Sequence, residues 1–89
     1  MDVNYEMTEE AKLELHRAIC YFEFLGKENS FLDDLIHQLR LIIQMPTAFQ
    51  LRYQNIRIVG LQNFNYSIHY RIVNDEILIL RILHQNQSY

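Results

Sequence analysis

The chain has 89 residues, of which 49% are apolar, 12% aromatic and 21% charged. A chain of this length forms one small core, and this apolar content argues against intrinsic disorder. No apolar run reaches the roughly 18 residues that a membrane-spanning helix needs, and the first residues are acidic, unlike a signal peptide. We therefore expect one cytoplasmic domain over residues 1–89. Its single cysteine, Cys20, cannot form an intramolecular disulfide, so packing alone, or packing with a partner, holds the fold.

The net charge of −3 is unevenly distributed along the chain. Residues 1–34 carry nine acidic and three basic side chains, a net charge of −6, whereas residues 35–89 carry five arginines and two acids, a net charge of +3. Arginines suit bidentate contacts with carboxylates or phosphates, although solvated strand charges are an equally good interpretation. Because the whole protein is acidic, it would not attract nucleic acid from a distance, and direct nucleic-acid binding is not expected.

The first third of the chain predicts a strand followed by a helix. Asp2 to Glu6 alternates polar and apolar residues, as a short strand with one buried face does. Thr8 can cap the next helix, whose apolar residues recur at helical spacing from Ala11. Gly26 supplies the left-handed conformation that commonly ends a helix.

A second amphipathic helix follows after a short connection. It begins around Glu28, or slightly later if Ser30 and Asp33 form a capping box. It ends at Met45, because Pro46 disfavours helical geometry in the residue before it. The two helices predict an antiparallel hairpin whose apolar faces need a further surface to pack on.

Three runs of alternating β-branched and aromatic residues then predict an antiparallel meander. The fold class is therefore α+β, with an N-terminal strand and a helical hairpin packed on a mainly antiparallel four-stranded sheet, in the order β-α-α-β-β-β. The residues after the last strand form a polar tail. The three predicted strands are Asn55 to Leu61, Tyr66 to Val73 and Ile77 to His84.

The loop of the last hairpin decides which residues share a face. A two-residue loop, Asn74-Asp75, places Arg81 among apolar residues. A three-residue loop, Asn74-Asp75-Glu76, separates the residues better, and we prefer it. The helix-facing side is then Ile68, Tyr70, Ile72, Leu78, Leu80 and Ile82, and the other side is Ser67, His69, Arg71, Ile77, Ile79, Arg81 and Leu83.

The second of these faces has no predicted element to cover it. An open sheet face that mixes arginine, histidine and large aliphatic residues is typical of a surface for a partner or a dimer mate. Gly60, inside a strand, predicts a bulge or a close backbone approach, or else a simple bend. If its strand lies at the edge of the sheet, a partner strand could add there.

The ordered set of these features resembles the ParE branch of the RelE/ParE toxin superfamily, of plasmid-stabilisation type, over essentially the whole chain. The chain differs from the usual pattern at Asn65, where the family has proline, and in lacking a basic tail after the last histidine. The matching segments are Thr8-Glu9-Glu10-Ala11, Tyr21-Phe22, Phe31-Leu32-Asp33-Asp34-Leu35, Pro46, Ile56-Arg57, Phe64 to Ile72, and Ile79 to His84.

The resemblance implies a bacterial type II toxin that a cognate antitoxin neutralises by wrapping it. RelE-like members cleave messenger RNA on the ribosome with basic and acid–base side chains. Here Ser67 and Gln87 stand at arginine positions of that branch, and Ile58 and Gly60 replace its lysines. Enzymatic activity is therefore not favoured; if it exists, its candidates are Arg57, Arg71, Arg81, His84 and Tyr89.

ParE-like members instead bind a protein target such as DNA gyrase, and this resemblance is the preferred interpretation. An inactive member that only keeps the fold remains an alternative. Arginine and large apolar side chains dominate the energetics of protein interfaces. We predict that the antitoxin or target contacts the face that carries Arg57, His69, Arg71, Ile77, Ile79, Arg81 and Leu83.

The remaining candidate groups predict no cofactor or metal site within one chain. His16 and Cys20 are four residues apart on one helix and could reach the same metal ion, but two ligands do not make a site. His84 points to the helix side in the preferred register, where it is a structural histidine or, by resemblance, a functional one. The two glycines form no phosphate loop, so a nucleotide cofactor is not expected. A homodimer is compatible with the open face.

Overall fold

Two helices and a five-stranded sheet make up the protein in the computed structural model, which describes residues 5–85. The strand order is β1-β5-β4-β3-β2; β1 runs parallel to β5 and the other neighbours are antiparallel. The predicted α+β class is confirmed, with five strands rather than four. No helix in the described part is long and apolar enough to cross a membrane. The elements are β1 (Tyr5–Met7), α1 (Glu9–Phe24), α2 (Glu28–Gln44), β2 (Leu51–Tyr53), β3 (Ile56–Gly60), β4 (Tyr66–Val73) and β5 (Glu76–His84).

Thr8 joins the first strand to the first helix. Its side-chain oxygen accepts a hydrogen bond from the Ala11 amide at 3.0 Å, which confirms the predicted cap. The same hydroxyl donates to the Leu80 carbonyl at 2.9 Å, and the Thr8 amide donates to the Ile79 carbonyl at 3.0 Å. The start of α1 is therefore fastened directly to β5. Residues 2–4 of the predicted first strand lie outside the described residues.

The second helix begins at Glu28 and stops before Pro46, as predicted. Lys27 is its N-terminal cap and makes no side-chain capping bond, so the proposed Ser30 and Asp33 pair does not start the helix. Gly26, with a φ of 73°, ends the preceding segment as predicted. The helix stops before Pro46, whose carbonyl accepts a 2.6 Å hydrogen bond from the Tyr70 hydroxyl. That bond links the end of α2 to the middle of the sheet.

The strand that the sequence prediction missed is β2, and it forms the outer edge beside β3. Leu51 pairs with Arg57, and Tyr53 pairs with Ile56, across a turn whose residues 54 and 55 have φ values of 47° and 64°. β2 therefore covers one end of β3. Three residues are too few for a reliable alternation signal, which explains the omission.

The loop between β4 and β5 has two residues, so the preferred three-residue loop is wrong. Val73 pairs with Glu76, and Asn74 and Asp75 have φ values of 52° and 64°. Positive φ at both central residues is the geometry of a type I′ turn, whose twist matches that of the flanking strands. The turn therefore fixes the register at this end of the hairpin.

With a two-residue loop, a regular register would place Arg81 among the apolar residues of the helix side. A β-bulge in β5 prevents this. Tyr70 pairs with Ile79, but the next pair is His69 with Arg81, so Leu80 is the extra residue. Beyond the bulge, Ile82 pairs with Ile68. One inserted residue thus returns an isoleucine, rather than an arginine, to the helix side.

The core lies between the helices and one face of the sheet. Ile77 and Ile79 belong to it, with exposures of 3% and 0%, whereas the sequence register had put them on the opposite face. Leu78, predicted to face the helices, pairs instead with Arg71 on the other face. Both corrections follow from the short turn. The buried cluster is Ala11, Ala18, Phe22, Phe31, Leu35, Leu39, Ile42, Val59, Leu61, Ile68, Tyr70, Ile77, Ile79 and Ile82.

Two buried polar side chains of α2 hold the β3–β4 connection. Asp34 accepts hydrogen bonds from the amides of Gln62 at 3.1 Å and Asn63 at 2.6 Å. Gln38 donates to the Gly60 carbonyl at 2.9 Å. Gly60 pairs regularly with Ser67, so the predicted bulge is absent there. A close approach is present, because a Cβ at Gly60 would lie 2.9 Å from the Gln85 side-chain nitrogen.

Candidate protein-binding face of the sheet

The sheet face turned away from the helices is the candidate functional surface. Directly paired residues of neighbouring antiparallel strands share a face, so the pairs Ile58–His69, Ser67–Leu83 and Arg71–Leu78 place their side chains together. Both helices pack on the opposite face, and no helix of residues 5–85 covers this one. We call it the open face and define it as Ile58, Ser67, His69, Arg71, Leu78 and Leu83.

The middle of the open face is buried, although neither helix of residues 5–85 lies over it. His69 is fully buried and Leu83 is 2% exposed. Ile58 and Leu78 are half-buried at the sides. The surface that a partner would meet is therefore a set of half-buried aliphatic groups around a filled centre. It is less exposed than the sequence had suggested.

The environment of His69 keeps its imidazole neutral. Burial lowers the pKa of His69 below its usual 6.5, and the charge of the nearby Arg81 lowers the pKa further. Glu14 acts in the opposite direction and raises it. A neutral histidine at the centre of the open face adds a polar group without a net charge.

Arg71 is the cation that the open face presents. Its Nε atom is buried and has no hydrogen-bond partner within residues 5–85, and no ion pair is formed by its guanidinium in that part of the chain. An unsatisfied buried donor on a charged group is costly, and a carboxylate is its best partner. The group is thus suited to an acidic side chain supplied from outside.

Arg57 does not belong to the open face. It pairs with Tyr70 and therefore lies on the helix side, where its guanidinium donates a 2.6 Å hydrogen bond to the Phe49 carbonyl. The prediction that Arg57 and Arg71 share a face is wrong. The sequence prediction did not set the register between β3 and β4, and a shift of one residue moves every side chain of a strand to the other face.

Arg81 turns from the open face toward the first helix. Its Nε donates to the Glu14 carboxylate at 2.8 Å, and Glu10 lies 3.7 Å away. This hydrogen bond to Glu14 raises the pKa of Arg81. The guanidinium is therefore held within the chain. Seven residues were predicted to form one binding face. Only His69, Arg71 and Leu83 of these have their side chains on the open face.

Among the candidate nuclease residues that lie within residues 5–85, the three arginines point to different surfaces. Arg57 lies on the helix side, Arg71 on the open face and Arg81 against α1. His84 packs edge-on against Tyr66, with ring centroids 5.3 Å apart, on the helix side as predicted. Gln87 and Tyr89 lie outside the described residues.

A separate cavity of about 370 Å³ adjoins His84, at the end of the helical hairpin. Burial and the neighbouring Tyr21 raise the pKa of Tyr66 there. Lys27 lines this cavity, and none of the three candidate arginines does. The lining residues are Tyr21, Phe22, Leu25, Lys27, Asn63, Phe64, Asn65, Tyr66 and His84.

Two residues near the sheet had no predicted role. Glu14 is not among the residues that the sequence predicted for a site, but it is the partner of Arg81. Leu51, half-exposed on the edge strand β2, pairs with Arg57 and therefore lies on the helix side of the sheet rather than on the open face. The position of Glu14 beside the buried stripe of α1 could have indicated its contact with the sheet. Nothing in the short segment 51–53 indicated the strand that carries Leu51.

The fold is that of a small α+β protein, with two helices packed on one face of a five-stranded sheet. The family profile described as the ParE toxin of type II toxin–antitoxin system, parDE, matches residues 5–89, so the chain belongs to that family. A solved structure titled "Chromosomal ParDE TA system from P. aeruginosa" has the same fold, with a TM-score of 0.79 and 22% identity over 92% of this chain and 95% of that chain. No curated protein sequence matches significantly.

Proposed function

We propose that this ParE-family toxin is neutralised by a cognate antitoxin that covers the open face. The single observation that carries the proposal is Arg71, whose buried Nε lacks a partner within residues 5–85 on a face that no helix covers. Membership of a toxin–antitoxin family supports a partner protein, and the similar solved structure is titled as a ParDE system.

The chemistry of the face favours an acidic segment with spaced apolar side chains. A carboxylate would satisfy Arg71, and aliphatic groups would pack on Ile58 and Leu78, which are half-buried in the free chain. Because Arg57 and Arg81 are already bonded within the chain, they contribute less to such a contact. Arg71 is therefore the charged residue on which binding should depend most.

A charge reversal at Arg71 tests this docking site. The chain would be titrated calorimetrically with the product of the small gene beside its own, and Arg71→Glu should weaken binding at least about tenfold, or 1.4 kcal/mol. Arg40→Glu is the matched control, because Arg40 is exposed on α2 and remote from the open face. Equal affinities for the Arg71 and Arg40 variants would refute the docking site.

For the cellular action we infer a protein target such as DNA gyrase. The separation of Arg57, Arg71 and Arg81 on different surfaces supports binding over RNA cleavage, since phosphodiester cleavage needs its charged groups around one scissile bond. Ser67, at a nuclease arginine position, is buried on the open face.

Expression of the chain with and without the neighbouring gene separates the three candidate functions. We expect growth arrest with intact messages and stalled replication. We also expect the purified chain to inhibit gyrase in a supercoiling assay. Cleavage of messages at ribosomes would favour the RelE-like alternative. Full growth with a folded chain would indicate an inactive member of the family.

A further inference from the structure

The outer face of α1 carries a pair of side chains with the geometry of a half metal site. The Sγ atom of Cys20 lies 3.6 Å from Nε2 of His16, and both residues are exposed. A tetrahedral zinc ion with a Zn–S bond near 2.3 Å and a Zn–N bond near 2.0 Å separates two such ligand atoms by about 3.5 Å. The two atoms therefore already stand at the distance that a shared zinc ion requires.

One chain cannot complete this site. No group of three or more histidine, cysteine, aspartate or glutamate side chains within residues 5–85 is placed to hold a metal ion. A closed zinc site needs four ligands, and a second copy of the same pair would supply the missing two. The position of the pair on the helix shows how two copies could meet.

The helix is arranged symmetrically about Ala18. His16 and Cys20 lie two residues on either side of it, so a two-fold axis that passes between two antiparallel copies of the helix, level with Ala18, would bring each His16 against the Cys20 of the second copy. At 100° per residue this pair lies opposite the buried stripe of Ala11, Ala18 and Phe22. The pair thus points directly away from the core.

The residues that flank the pair are complementary under the same symmetry. Leu13 and Phe24 lie on one flank and are 50% and 87% exposed, so both leave apolar surface in contact with solvent. Lys12 and Glu23 lie on the other flank. In an antiparallel pair of helices each flank faces its own copy, so Leu13 would pack against Phe24, and Lys12 would meet Glu23.

We propose that a zinc ion bridges two copies of this protein through His16 and Cys20 of each chain, with α1 packed antiparallel on α1. The site has two imidazole nitrogens and two thiolates, a ligand set that zinc binds in tetrahedral geometry. Binding releases the two thiol protons to solvent and involves no redox step. The proposal is independent of the proposed function, because α1 packs with its buried stripe toward the sheet and the pair faces outward.

Metal-dependent sedimentation tests the proposal. The full chain would be stripped with a chelator, kept reduced and titrated with Zn²⁺ during analytical ultracentrifugation. The mass should double and saturate at one zinc ion for every two chains. With Co²⁺ in place of zinc, thiolate-to-cobalt charge transfer and the intense visible bands of a tetrahedral centre should appear together with the dimer.

Single substitutions identify the ligands. Cys20→Ser and His16→Gln should each weaken zinc-dependent dimerisation at least about tenfold, and Phe24→Glu should weaken the dimer while the four ligands stay in place. His37→Gln is the matched control, since His37 is also exposed but lies on α2. All four residues are exposed, so the variants should keep the wild-type unfolding temperature. A monomer without thiolate-to-cobalt absorption, or a zinc-dependent dimer that survives Cys20→Ser, would overturn the proposal.

Discussion

The carboxylate of Glu14 accepts a hydrogen bond from the backbone amide of Ile82 at 2.9 Å, so a helix side chain occupies the place of a further strand beside β5. β1 covers only residues Ile77 to Ile79 of that edge, and the Thr8 hydroxyl donates a hydrogen bond to the Leu80 carbonyl. An uncovered strand edge invites pairing with other chains. Glu14 therefore protects the part of β5 that the short first strand leaves open.

Glu14→Gln should lower the free energy of unfolding by about 1–3 kcal/mol, because it removes a carboxylate that binds both Arg81 and the Ile82 amide. Glu10→Gln is the control: Glu10 is 63% exposed and lies 3.7 Å from Arg81, so its loss should cost less than about 0.5 kcal/mol. Urea unfolding of the two variants measures both values. Equal losses would show that the buried contact adds nothing beyond surface charge.

Asp34→Ala should be strongly destabilising, by about 2–3 kcal/mol, because it leaves the amides of Gln62 and Asn63 without their acceptor. Its neighbour Asp33 is exposed, and Asp33→Ala should change stability by no more than about 0.5 kcal/mol. Thermal unfolding of both variants compares the same substitution one residue apart. A similar unfolding temperature for the two would contradict the role assigned to Asp34.

The stability of the protein should fall as the pH drops below about 6.5, because burial and Arg81 lower the pKa of His69 in the folded state. The unfolded chain then takes up a proton more readily than the folded one, at a slope of up to about 1.4 kcal/mol per pH unit. His69→Gln should remove this part of the slope, whereas His37→Gln should retain it. Urea unfolding at several pH values measures the slopes, and an unchanged slope in His69→Gln would assign the dependence to other groups.

Asp75→Gly should stabilise the protein by about 0.5–1 kcal/mol. Asp75 has a φ of 64°, which an L residue adopts at a cost and glycine adopts freely, and Asn-Gly is the preferred pair for this turn. Asp75→Ala should be destabilising, because alanine has neither glycine's freedom nor the tolerance of aspartate for this conformation. Chemical unfolding of the two variants gives the sign in each case. Stabilisation by alanine would show that the turn is not under this constraint.

The helices and their ends were predictable because their signals are local. The Thr8 cap, the Gly26 terminator and the stop before Pro46 each depend on residues within one or two turns. The wrong hairpin register has the opposite origin. A bulge at Leu80 can be recognised only when both strands are aligned, since neither strand alone shows which residue is extra.

Only part of the positive charge of residues 35–89 is available to a partner. The sequence alone determined the α+β class, the helical hairpin and the family pattern, because periodicity, caps and turn residues act over short distances. Tertiary structure decided which arginines are available: Arg57 and Arg81 are bonded within the chain, and Arg71 faces outward without a partner in residues 5–85. The cross-strand register and the helix-to-strand contacts determine which arginines are exposed to a partner, and both join residues far apart in the chain.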